Sequence, residues 1–79
     1  MIKFFSASWC SSCQIFKSNL QEGDLDGITL VDAEDSQNEV IDAQIRSIPA
    51  FIKYDEDGEE VERRYGTMSR QEFLDFKNE

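Results

Sequence analysis

Positive charge is scarce in this chain: eight Lys and Arg stand against 17 Asp and Glu, a formal net charge of −9, and there is no histidine. That balance argues against a nucleic-acid partner, because phosphate contacts need clustered Lys and Arg. An acidic surface favours solubility and some bias toward partners with a basic face. Long apolar runs are also missing. Met1-Ile2-Lys3-Phe4-Phe5 is too short for a signal peptide, and no stretch approaches the length of a transmembrane helix, so a cytoplasmic protein with no membrane partner is expected. A single proline and a hydrophobic content of 39% fit a globular chain rather than a disordered or collagenous one. With 79 residues, one domain spanning 1–79 is the ceiling.

Cysteine is sparse too. The two present, Cys10 and Cys13, are a poor disulfide framework, because the loop they close is tiny and constrains the unfolded chain little. A reducing compartment is the default, with the pair serving chemistry instead of architecture.

The remaining residues lay out an α/β pattern. Residues 2–6 (IKFFS) are an apolar run with the character of a buried strand. Cys10 opens a helical stretch to about Gln21, in which Cys13, Phe16 and Leu20 recur at helical spacing. After turn signals at Gly23 and Gly27, the β-branched run ITLVD (28–32) predicts a second strand. Ser36 and Glu39 have capping-box spacing, and Val40, Ile41, Ala43 and Ile45 follow on one helical face that Pro49 ends. AFIKY (50–54) and EVERRY (60–65) read as strands joined by a hairpin at Asp55-Glu56-Asp57-Gly58. Ser69 and Glu72 form a second possible capping box, opening a helix with Phe73, Leu74 and Phe76. The order is β-α-β-α-β-β-α. Strands one and two should be parallel and strands three and four antiparallel, giving a four-stranded mixed sheet flanked by helices on both faces.

In Trp9-Cys10-Ser11-Ser12-Cys13, the first cysteine falls where a strand gives way to a helix. The positive end of the helix dipole and its unpaired N–H groups favour a thiolate there. Cys13, one turn further in, should be more buried and mostly protonated. The spacing divides the work: Cys10 attacks a substrate disulfide, and Cys13 resolves the mixed disulfide. Zinc is the main competing reading, but a structural site usually takes four Cys or His ligands, and a complete one here would need carboxylates or a second subunit. A purely structural pair is the other alternative. Read without further context, Trp9 could be core packing, Pro49 an ordinary trans proline opening a strand, and Gly66 a plain turn glycine.

Two separated segments resemble the thioredoxin superfamily, in the family's order. Phe5-Ser6-Ala7-Ser8-Trp9-Cys10-Ser11-Ser12-Cys13 resembles its active-site segment, and Ile45-Arg46-Ser47-Ile48-Pro49-Ala50 the segment carrying its cis-proline. Asp57-Gly58-Glu59, Tyr65-Gly66 and the helix from Met68-Ser69-Arg70 to Phe76 resemble its hairpin, last-strand glycine and closing helix. The resemblance implies a minimal thioredoxin-like fold of the short phage or archaeal type, lacking the family's additional first strand and helix. It implies a redox-active Cys10–Cys13 disulfide with no other cofactor. Pro49 should be cis, leaving the Ile48 backbone free to pair with an extended substrate. Trp9, Ile48, Pro49, Gly66 and Thr67 should form an apolar rim around Cys10, with Ser11 and Ser12 also facing substrate.

The departures from the family pattern carry chemistry of their own. Phe4 occupies the place of the family's buried aspartate, and the partner lysine's place falls at Ile28 or Thr29. Deprotonation of Cys13 must then rely on water, a nearby carboxylate such as Asp32, or the departing thiolate. The Ser11-Ser12 dipeptide can donate to a sulfur, which stabilises the reduced form and implies a less reducing potential than thioredoxin's. Ser18 replaces a family proline, so the first helix should run straighter. Gln14 replaces the usual basic residue beside Cys13. The leading expectation is a monomeric protein-disulfide reductase recharged by a thioredoxin-reductase-like donor, with ribonucleotide reductase among its substrates by family analogy. A glutaredoxin-like enzyme reduced by glutathione is the alternative, disfavoured by Ser12, by Gly66-Thr67-Met68 and by the acidity. A non-catalytic binding subunit, like thioredoxins recruited by some phage polymerases, is a third.

Overall fold

The computed structural model describes residues 1–79. Three helices and four strands follow one another as β1 (Ile2–Ser6), α1 (Ser11–Ser18), β2 (Ile28–Asp32), α2 (Gln37–Asp42), β3 (Ala50–Tyr54), β4 (Glu60–Tyr65) and α3 (Arg70–Asn78). The element order and all four strand spans are those the sequence predicts. One sheet results, in the order β2-β1-β3-β4. β1 runs parallel to β2 and antiparallel to β3, and β3 pairs antiparallel with β4. The hairpin between β3 and β4 turns at Gly58, whose φ of 83° suits a residue with no Cβ.

Alternation along the central strand divides the core. Phe4 points to one face, where it meets Phe16 of α1, Phe51 of β3, and Phe73 and Phe76 of α3. Phe5 points to the other, among Val31, Ala50 and Ile52, with Val40 of α2 and the adjoining Ala43 and Ile45 packed over them. Helices therefore cover both faces, two on one and one on the other. All six phenylalanines are fully buried. At roughly 1.5–3 kcal/mol for each such side chain, they supply most of the core that so short a chain can build.

Four local expectations are corrected. α1 stops at Ser18 rather than near Gln21, with Asn19 as its C-cap; Leu20 still packs on the core from the loop beyond. α2 ends at Asp42, well before Pro49, because Gln44 takes a left-handed φ of 55° that breaks the helical repeat. Ile41 does not share the buried face and is 70% exposed. Ser36 makes no side-chain capping bond: its ψ of 52° leaves the extended cap geometry, whereas Ser69 at ψ 162° forms the complete box with Glu72. On β2 the register pairs Phe4 with Leu30, and Ile28 packs against the cluster that holds Phe4.

Candidate active site

The loop after β1 delivers Cys10 to the head of α1. Its backbone is extended (φ −86°, ψ 104°), as an N-cap residue requires, and its sulfur accepts the Cys13 N–H at 3.2 Å. One of the helix's orphan donors is thus spent on the sulfur itself. No acidic residue occupies the first turn of α1, so nothing in that turn opposes negative charge on Cys10. Cys10 and Cys13 are joined as a disulfide, their Cα atoms 5.3 Å apart. Cys13 is the more deeply placed, fully buried against 6% exposure for Cys10.

Around the pair lie Ala7, Ala33 and Ile48. The Ile48–Pro49 bond is cis, as the resemblance implies. Pro49 is buried, and its carbonyl accepts the Gly66 N–H at 2.9 Å, which ties the end of β4 to this corner. Gly66 itself takes a φ of 86°. The N–H and C=O of Ile48 have no partner within the chain. Trp9 is 69% exposed, which rules out its reading as core packing. Ser11 and Ser12 are exposed, and their hydroxyls make no hydrogen bond beside the disulfide. Thr67 is exposed beyond Gly66. Gln14 reaches back to the Ala7 carbonyl at 3.4 Å.

Beside the cysteines runs an apolar groove of about 440 Å³, lined by Trp9, Ala33, Val40, Ile45, Arg46, Ser47 and Ile48. Ala33 and Ile48 belong to both the groove and the wall of the cysteine pair. The sequence pointed to Trp9 and Ile48 here and not to Ala33, Val40, Ile45, Arg46 or Ser47. The last three sit in the cis-proline segment, where they could have been found. Ala33 and Val40 join the groove only through the packing of β2 and α2. Asp32, at the end of β2, is exposed, and one oxygen of its carboxylate accepts the N–H groups of Glu34 and Asp35 at 2.8 and 3.4 Å.

A four-stranded mixed sheet with a cysteine pair at a helix N-terminus and a cis-proline beside it defines a thiol–disulfide oxidoreductase. The chain belongs to the thioredoxin family, whose model matches residues 1–79. No curated protein matches it in sequence. Solved structures carry the same fold at low identity. The C-terminal domain of Neisseria meningitidis DsbD in the oxidised form superposes with a TM-score of 0.80 at 18% identity, covering 99% of this chain and 77% of that one. Thioredoxin from Thermus thermophilus gives 0.76 at 22%, covering 98% and 69%. Malassezia sympodialis thioredoxin gives 0.75 at 20%, covering 98% and 71%. No helix is long and apolar enough to cross a membrane.

Proposed function

We propose that this protein reduces disulfides in other proteins by dithiol exchange through Trp9-Cys10-Ser11-Ser12-Cys13. The observation that carries the reading is the Cys13 N–H directed at the Cys10 sulfur, at 3.2 Å, beside an unpaired Ile48 backbone. In the reduced protein that N–H and the helix dipole would stabilise a Cys10 thiolate. The thiolate attacks one sulfur of the substrate disulfide and expels the other as a thiolate, leaving a mixed disulfide. Cys13 loses its proton and attacks the Cys10 sulfur, which re-forms the Cys10–Cys13 bond and releases the second substrate thiol. Two electrons pass to the substrate, and a thioredoxin-reductase-like donor returns them.

During the mixed-disulfide stage, the Ile48 N–H and C=O would pair with an extended substrate segment, while Trp9, Ile48, Pro49, Gly66 and Thr67 bound it. Ser11 and Ser12 would face the substrate sulfur. The protein works as a cytoplasmic monomer with its active face open, and needs no cofactor beyond the pair.

Insulin reduction coupled to NADPH and thioredoxin reductase, run in parallel with glutathione and its reductase, tests this reading. The thioredoxin-reductase arm should turn over, Cys10→Ser should abolish turnover, and Cys13→Ser should accumulate a mixed disulfide with substrate. Activity in the glutathione arm alone would replace the reading with a glutaredoxin-like one. Silence in both arms would end it.

A further inference from the structure

Arg63, on β4, uses all five of its N–H donors on protein acceptors. Nε and Nη2 grip the two oxygens of Glu60 at 2.7 and 2.6 Å. Nη1 donates to the Tyr65 hydroxyl at 2.7 Å and to the Gln44 carbonyl at 3.2 Å, and Nη2 also donates to the Ala43 carbonyl at 2.9 Å. The two carbonyls belong to the residues that close α2, where the helix leaves acceptors without partners. Gln44 is the only non-glycine residue with a positive φ, at 55°, so this sharp exit from the helix needs support from outside. Glu60 fixes the guanidinium, and the guanidinium fixes the turn.

Directly after that turn comes the substrate-facing segment. Ile45 donates to the Val40 carbonyl at 3.0 Å, and Pro49 accepts from Gly66 at 2.9 Å, but Arg46, Ser47 and Ile48 make no hydrogen bond to another backbone group within the chain. The stretch is a span fastened at its two ends. Between those ends Arg46 leans on Tyr65, its guanidinium 5.0 Å from the centre of the ring, and Tyr65 is itself held by Arg63. We propose that Arg63 is a positioning residue for substrate binding, holding the 43–45 turn so that the unpaired Ile48 backbone and the groove residues Ile45 and Arg46 are preset beside Cys10. The proposal rests on the reductase reading above. Because Arg63 acts on the binding segment and not on the sulfurs, its loss should be felt by substrates that need the segment and not by those too small to use it.

Steady-state reduction of insulin and of the small disulfide dithionitrobenzoate by wild type, Arg63→Met, Arg63→Lys and Tyr65→Phe tests this, together with amide hydrogen exchange at Ile45 and Gly66. Arg63→Met should raise KM for insulin on the order of tenfold while kcat, and the rate with dithionitrobenzoate, stay within about twofold. Arg63→Lys should recover only part of the loss, since one ammonium cannot span the same acceptors. Exchange at Ile45 should quicken while Gly66 stays protected. Unchanged KM in an active protein overturns the proposal, as does an equal loss on both substrates, which would mark a fold-wide role. If Arg63→Met fails to fold, Arg63→Lys and Tyr65→Phe must still raise KM for insulin, and no rise in either overturns it. A wild type inactive on both substrates removes the reductase reading itself and this role with it.

Discussion

Phe4 changes what can be asked of Cys13. The family resemblance expects a buried carboxylate at this position, but the ring stacks on Phe51 at 4.8 Å and meets Phe16 edge-on at 5.2 Å. Such pairs add about 0.5–1.5 kcal/mol beyond burial, which an aspartate in this aromatic cluster would forfeit. The only hydrogen bond at either sulfur comes from the Cys13 N–H, and one oxygen of Asp32 is engaged by its own turn. Water, the free oxygen of Asp32 or the departing substrate thiolate is left to take the Cys13 proton. The dipeptide between the cysteines bears on the potential instead. Neither serine hydroxyl is committed in the disulfide form, so both are available to a Cys10 thiolate once it forms. A hydroxyl bond to that thiolate of about 1.5 kcal/mol would raise the potential by roughly 30 mV above the −270 mV or so of thioredoxin. Equilibration against glutathione should find that increase, and the Ser11→Ala/Ser12→Ala double variant should lose it. A wild-type potential at or below thioredoxin's would refute the argument.

At the scale of elements, the two Ser-x-x-Glu sequences are a natural experiment in capping. Ser69 accepts the Glu72 N–H and Glu72 returns a bond to the Ser69 N–H, both at 3.1 Å. Ser36 has the same spacing but is held by a preceding turn in which its N–H bonds the Asp32 carbonyl, and its hydroxyl caps nothing. Ser69→Ala should therefore cost about 1 kcal/mol in urea unfolding, and Ser36→Ala only a few tenths; equal costs would contradict the assignment. The same contrast explains what the sequence could tell. Strand spans were legible because the apolar alternation of IKFFS and AFIKY and the β-branched ITLVD are local signals. The cysteine pair and Pro49 were legible because their chemistry is tied to spacing. The end of α2 was not, since it depends on Gln44 and on Arg63, 19 residues away. Nor was the groove, whose Ala33 and Val40 meet only once β2 and α2 have packed.

For the whole molecule, charge sets two opposing responses to acid. Seventeen acidic against eight basic side chains give a surplus whose self-repulsion eases as the pH falls toward the carboxylate range. Against this stand carboxylates that folding holds in the ionised form. Asp24 is the principal one, buried in the loop between α1 and β2. Its oxygens accept from Arg70 of α3 at 2.7 and 3.2 Å and from the Gln21 N–H at 2.8 Å, and its carbonyl accepts from Lys77. The Arg70 bond foremost, then the Gln21 bond, keeps its carboxyl below the ordinary value of 3.8. Glu60, beside Arg63, and Glu72, in the capping box, are likewise held below 4.5. A folded-state value lower than the unfolded one means that the stabilisation is complete above the unfolded value and is lost as the pH falls through the folded one. Stability should therefore be flat or rise slightly from neutral pH to about pH 5, then drop steeply below about pH 4. Urea midpoints measured across that range would trace the curve. Asp24→Asn should be less stable at neutral pH because Arg70 loses its ionised partner, and its decline below pH 4 should be shallower than the wild type's. If the two curves run parallel through the acid limb, the clasp between the α1–β2 loop and α3 is not what acid breaks.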